Sequence, residues 1–110
     1  MTERIVVVGR IHALSEYRGE LQNILRNAQL DVREQAGCLS ADFAAALGEA
    51  STYLVVQEWE DQAALDAHYA TDTFARFQHD IAQMLERPSD VQWHTVSATV
   101  RPQDPTPKAA

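Results

Sequence analysis

The side chains best suited to chemistry in this sequence are four histidines, one cysteine and two tryptophans. His68 stands three residues after Leu65 in the stretch Ala64-Leu65-Asp66-Ala67-His68, so on a helix the two lean toward one face. Its neutral imidazole can accept a proton from a phenol near pH 7 and return it. The plainer alternative is a histidine at a pocket rim whose ring bonds a backbone carbonyl. Trp59 closes the run Thr52-Tyr53-Leu54-Val55-Val56-Gln57-Glu58-Trp59. An indole at that point can stack on a flat aromatic ligand and donate one N–H hydrogen bond, or it can anchor the core beneath the helices. Cys38, at a helix-to-strand junction, reads as a small buried filler rather than a nucleophile. No two histidines stand at i, i+4 on a helix and there is no Cys-x-x-Cys, so no metal site is expected. A Gly-x-Gly-x-x-Gly or P-loop is also lacking, which removes support for nucleotide and flavin cofactors.

The elements that must position these residues follow from periodicity. Ile5 to Ile11 is a β-branched run apolar on both faces, as in a strand covered on both sides. From Ser15, a candidate N-cap, Tyr17, Leu21, Ile24, Leu25, Ala28 and Val32 recur at helical steps up to Gly37, which suits a left-handed helix end. Cys38 to Leu47 alternates as a second strand with Leu39, Ala41 and Phe43 on one face, and Gly48 to Ser51 is a turn. Thr52 to Trp59 is the clearest strand, with Tyr53, Val55, Gln57 and Trp59 on one face and Leu54, Val56 and Glu58 on the other. Asp61 caps a short helix through His68 and Tyr69, and a further helix carries Phe74, Phe77, Ile81, Met84 and Leu85 until Pro88. Val91 to Val100 is the last strand, with Trp93, Thr95 and Ser97 opposite Gln92, His94, Val96 and Ala98.

This order predicts an α+β, ferredoxin-like β-α-β-β-α-β fold over residues 1–100, with an antiparallel four-stranded sheet and helices on one face. Residues 101–110, rich in proline, read as a disordered tail. Strands apolar on both faces leave the helix-free side needing a cover, and a second copy packed sheet on sheet supplies it with two-fold symmetry. A homodimer of the dimeric α+β barrel type is therefore expected. His12, His94, Arg10 and Glu58 fall on that shared face, with Arg10 and Glu58 as a candidate ion pair across the interface.

Composition narrows the function classes. The formal net charge of −7, with eight Arg and a single Lys at Lys108, repels phosphate backbones and anionic lipid and leaves no basic cluster. Nucleic-acid and membrane partners are not expected. One cysteine rules out an intrachain disulfide framework, no apolar run approaches spanning length, and the apolar stretch after MTER is too short and too soon followed by Arg10 for a signal peptide. A reducing cytoplasm fits.

The strand Ile5 to Ile11, the segment Gln35-Ala36-Gly37-Cys38-Leu39-Ser40, the run Val56 to Asp61 with its Glu58-Trp59-Glu60, and Ala64 to His68 followed by Phe74 resemble the antibiotic biosynthesis monooxygenase (ABM) domain over residues 4 to about 98. The resemblance implies the fold and the dimer. It also spans several chemistries: cofactor-free oxygenases of quinol-type aromatics, heme-degrading enzymes, and an isomerase of a signalling-molecule phosphate. Relatives with a second histidine shortly after the first have Thr73 here in its place, which removes a proton relay and a cationic phosphate contact. The heme-degrading pattern of Asn, Trp and His falls on Gly9, His68 and Gln78, and none of the three agrees; His79 is one residue out of register, about 100° around the helix. The resemblance thus favours a cofactor-independent monooxygenase of a small phenol or quinol, with His68 as base, Trp59 as stacking wall, and Phe43, Tyr53, Val55, Phe74 and Phe77 lining an apolar cavity. The alternative is a non-catalytic or isomerase-like dimer that holds a small hydrophobic metabolite.

Overall fold

The computed structural model describes residues 3–103. In chain order the elements are β1 (Arg4–His12), a 3-10 turn (Ser15–Tyr17), α1 (Arg18–Arg33), β2 (Cys38–Ala45), β3 (Thr52–Trp59), α2 (Gln62–Tyr69), α3 (Asp72–Ala82) and β4 (Asp90–Val96). The sheet order is β2-β3-β1-β4 with every pair antiparallel. This is the expected ferredoxin-like α+β arrangement. No helix among the described residues is long and apolar enough to cross a membrane.

Strand alternation decides the two faces. Ile5, Val7 and Ile11 of β1 and Tyr53, Val55, Gln57 and Trp59 of β3 are buried toward the helices. Their core divides into two clusters along the sheet. One gathers Ile11, Leu21, Leu25, Tyr53, Val55 and Ile81, and the other Ile5, Val7, Val32, Ala41, Trp59 and Leu65. On the helix-free face Val8 and Val56 are cross-strand partners and each is 45% exposed.

Four local expectations are corrected by the structure. Ser15 does not cap α1: it opens the 3-10 turn, and the helix begins at Arg18 behind Tyr17, whose side chain makes no cap bond. Leu39 does not share a face with Ala41. A bulge between Cys38 and Ser40 turns Cys38 toward the Trp59 cluster and leaves Leu39 half exposed. The helix expected up to Pro88 stops at Ala82, because Met84 O accepts from Leu14 N and Glu86 N donates to His12 O, drawing that segment onto the end of β1. The last strand ends at Val96 rather than Val100, since its partner Arg4 is the first residue of β1. Within one copy Arg4 meets Glu58 at 3.0 Å and Arg10 meets Glu49 at 3.3 Å. Of the expected tail, residues 104–110 lie outside the described residues, and 101–103 carry no regular structure.

Candidate active site

Local sequence explains how His68 is placed. Asp61 accepts from Ala64 N at 2.8 Å, which starts α2 at Gln62 and puts the fully buried Leu65 one turn before His68. Gly37, at φ +83°, turns the chain into β2, and its carbonyl accepts from Glu60 N at 2.8 Å. A side chain there would meet Ala64 Cβ at 2.4 Å, so only glycine lets α2 lie this close to the end of α1. That closeness brings Gln35 within 2.8 Å of His68 Nδ1. Thr71 finishes the placement: its hydroxyl donates to His68 O at 2.8 Å and accepts from Phe74 N at 3.1 Å, joining α2 to α3 through one side chain.

The His68 ring sits in an aromatic stack. It lies parallel to Trp59 with centroids 5.0 Å apart and meets the edge of Phe74 at 5.1 Å. Phe74 continues to Tyr69 at 4.7 Å and to Phe77 at 6.2 Å, and Phe77 to Phe43 at 6.4 Å. Tyr69 stacks on Trp93 at 5.3 Å, and the Trp93 indole donates to its hydroxyl at 3.1 Å.

Between the sheet, α1 and α3 this stack bounds a cavity of about 360 Å³, a volume suited to a small organic ligand. Its apolar wall includes Val7, Ile11, Val55, Phe43, Phe74 and Phe77, and its polar groups include Gln35, Gln57, His68 and Tyr69. Asn27 and Asp31 of α1 and Arg76 and Asp80 of α3 also border it. Of the residues expected at the site, His68, Phe43, Val55, Phe74 and Phe77 come together here. Trp59 and Tyr53 do not line the cavity. Trp59 is fully buried behind the His68 ring, with its N–H given to Gln57 Oε1 at 3.0 Å. Tyr53 is buried in the other cluster, where its hydroxyl donates to Arg18 O at 3.0 Å. His79, paired with Asp80 at 3.5 Å, is turned to solvent, while His12 is buried beside Thr52 Oγ1 at 3.2 Å, away from the cavity.

Among the cavity residues that carry no site role in the sequence reading are Gln35, Gln57 and Tyr69. The signal for Gln57 is a polar residue on the buried face of a strand otherwise reading Tyr, Val and Trp, since a buried polar group is the informative exception on such a face. Gln35 and Tyr69 offer no comparable signal, because each is at an element end where polar residues are ordinary.

Burial holds the His68 pKa below its ordinary value, so the imidazole is neutral at pH 7. Burial raises Tyr69, opposed in part by the hydrogen bond from Trp93, and the phenol stays protonated. Burial also raises the Cys38 thiol, against the smaller lowering effects of its bond to Ser40 O and the charge of Arg33, which leaves it un-ionised at neutral pH. The depressed His68 pKa has a stability consequence. Below about pH 6.5 the unfolded chain takes up this proton before the folded one, so stability is full above that pH and is lost as pH falls through it. Urea midpoints measured from about pH 7.5 to 5.5 are expected to decline in the wild type and to decline less in His68→Gln. Equal declines would remove His68 from the effect. No group of three or more His, Cys, Asp or Glu side chains gathers as a metal site among the described residues.

Comparison with known proteins agrees with this architecture. A structure from Deinococcus radiodurans carrying the antibiotic biosynthesis monooxygenase name superposes with a TM-score of 0.86 at 15% identity, covering 91% of this chain and 99% of that one. A Pseudomonas aeruginosa structure gives 0.80 at 24% identity, with 89% and 98% covered. At these identities the likeness establishes the fold. An uncharacterized protein of Synechocystis sp. is 26% identical over 95 residues, which are 86% of this chain and 65% of that relative, so the chain spans under two thirds of its length. The family model described as antibiotic biosynthesis monooxygenase matches residues 4–80. The chain belongs to the antibiotic biosynthesis monooxygenase family.

Proposed function

We propose that the protein is a cofactor-independent monooxygenase of a small phenol or quinol, with His68 as the general base. The observation that carries this reading is a buried, neutral imidazole whose Nδ1 is engaged by Gln35 and whose other nitrogen has no partner among the described residues. His68 lines the cavity, so that nitrogen is directed at its space. In the proposed reaction His68 takes the phenolic proton, and the electron-rich anion, sheltered from water by Phe43, Phe74 and Phe77, reacts directly with dioxygen. The carbon–oxygen bond forms at the ring. The ring C–H proton is then lost and the O–O bond breaks, so that one oxygen atom stays as the new carbonyl and the other leaves as water, all four electrons that reduce dioxygen coming from the substrate. Oxygen uptake with a panel of quinols is the test. Uptake no faster than that of His68→Ala would defeat the reading and favour a dimer that merely holds a hydrophobic metabolite, as would be consistent with Trp59 lying outside the cavity.

The helix-free face belongs to the same proposal. Val6, Val8, Leu54 and Val56 are neighbours across β1 and β3, and Val8 and Val56 are half exposed at its centre. Packing of this face on a second copy would bury them. Sedimentation is expected to find a dimer for the wild type and a monomer for Val8→Glu; a monomeric wild type would refute the assembly.

A further inference from the structure

Gln57 is 94% buried, being 6% exposed, and it is the polar residue on the sheet floor of the cavity. Its orientation is not free. An indole N–H can only donate, so the bond from Trp59 Nε1 at 3.0 Å fixes the carboxamide oxygen toward Trp59 and leaves the amide N–H groups on the opposite side. No described residue accepts from that nitrogen, and it is not sealed off as a buried orphan, so it opens on the cavity that Gln57 lines. His68, stacked on the same indole, presents its unpartnered ring nitrogen to the same space.

We propose that Gln57 is the ligand-orienting hydrogen-bond donor of this cavity, that Trp59 is a positioning residue acting on the ligand through Gln57, and that the site therefore takes aromatic molecules bearing a carbonyl or phenolate oxygen. This rests on the cavity being the substrate site. A buried amide N–H left facing an apolar ligand loses its water without replacement, whereas an oxygen on the ligand restores the bond. The donor also strengthens as its acceptor gains charge, so the same contact holds a phenol more tightly once His68 has removed its proton.

The probes are 1-tetralone and tetralin, which share a bicyclic skeleton and differ by one carbonyl oxygen. Neither is a phenol, so binding is read without turnover, by NMR titration of the ¹⁵N-labelled protein. The ratio of tetralin to 1-tetralone dissociation constants is expected to fall about tenfold in Gln57→Met, which keeps the volume and removes the donor. Trp59→Phe keeps a ring and releases the amide, and the ratio is expected to fall there too while tetralin affinity changes little. A purely structural role for Trp59 would weaken both probes together. Should either variant fail to fold, the wild type decides: the Gln57 side-chain amide protons are expected to move downfield with 1-tetralone and not with tetralin. An unchanged ratio, or equal amide shifts with both probes, overturns the inference and leaves the cavity reading intact. Binding of neither probe to the wild type would overturn both.

Discussion

Oxygen uptake with an accepted quinol is expected to fall about 100-fold in His68→Gln, at the lower end of what a positioned general base contributes. Glutamine keeps a polar group of similar reach beside Gln35, so the loss reads proton transfer rather than a collapsed cavity. The pH profile separates the two explanations further. The imidazole must be unprotonated to act, and burial holds its pKa below the ordinary value. The wild-type rate is therefore expected to be level above about pH 6.5 and to fall on acidification. The residual rate of His68→Gln should lack that acid limb. Wild-type and variant rates within twofold, on any quinol the wild type oxidises, would exclude His68 as the base. Oxygen electrode traces at several pH values supply both readouts.

The largest stability effect is expected at Trp59. Its side chain is fully buried, packs with Ile5, Val7, Val32 and Leu65, covers one face of the His68 ring and satisfies Gln57. Trp59→Ala is expected to cost about 3–5 kcal/mol, combining the lost burial with an uncollapsed void. Small domains have a net stability of about 5–15 kcal/mol, so this change leaves the protein marginal. Trp59→Phe is expected to cost about 1–3 kcal/mol, much of it from the orphaned Gln57 oxygen. Urea denaturation followed by far-UV circular dichroism measures both. A loss below about 1 kcal/mol for Trp59→Ala would mean that the cluster around it is not the core described above.

The two predictions assign Trp59 and His68 different work, although the sequence presents them as partners on one ligand. The indole is at the end of β3, on the inward face, and both points are readable from alternation alone. What alternation does not carry is depth. Because α2 packs tightly over Gly37, His68 is laid on top of the indole and takes the position next to the cavity. Tyr53 shows the same limit along the sheet. It shares a strand face with Trp59, yet six residues along a strand separate them by about 20 Å, so they belong to different clusters.

By itself the sequence determined the order of elements, the inward face of β3, the Asp61 cap and the glycine turn at Gly37. These follow from local rules: side-chain period, capping chemistry and the conformational freedom of glycine. Tertiary structure alone decided that Gln35 meets His68, that Gln57 is fixed by Trp59, that Tyr69 stacks on Trp93, and that α3 stops at Ala82. Three of these depend on a contact between segments far apart in the chain, in the last case the bonds of Met84 and Glu86 to Leu14 and His12. Gln57 and Trp59 are instead two residues apart on one strand face, and their bond depends on how the packed core sets the two side chains. A hydrogen bond between distant residues leaves no periodicity behind it, so the chemistry-bearing types are visible in the sequence while the pairs that give them roles are not.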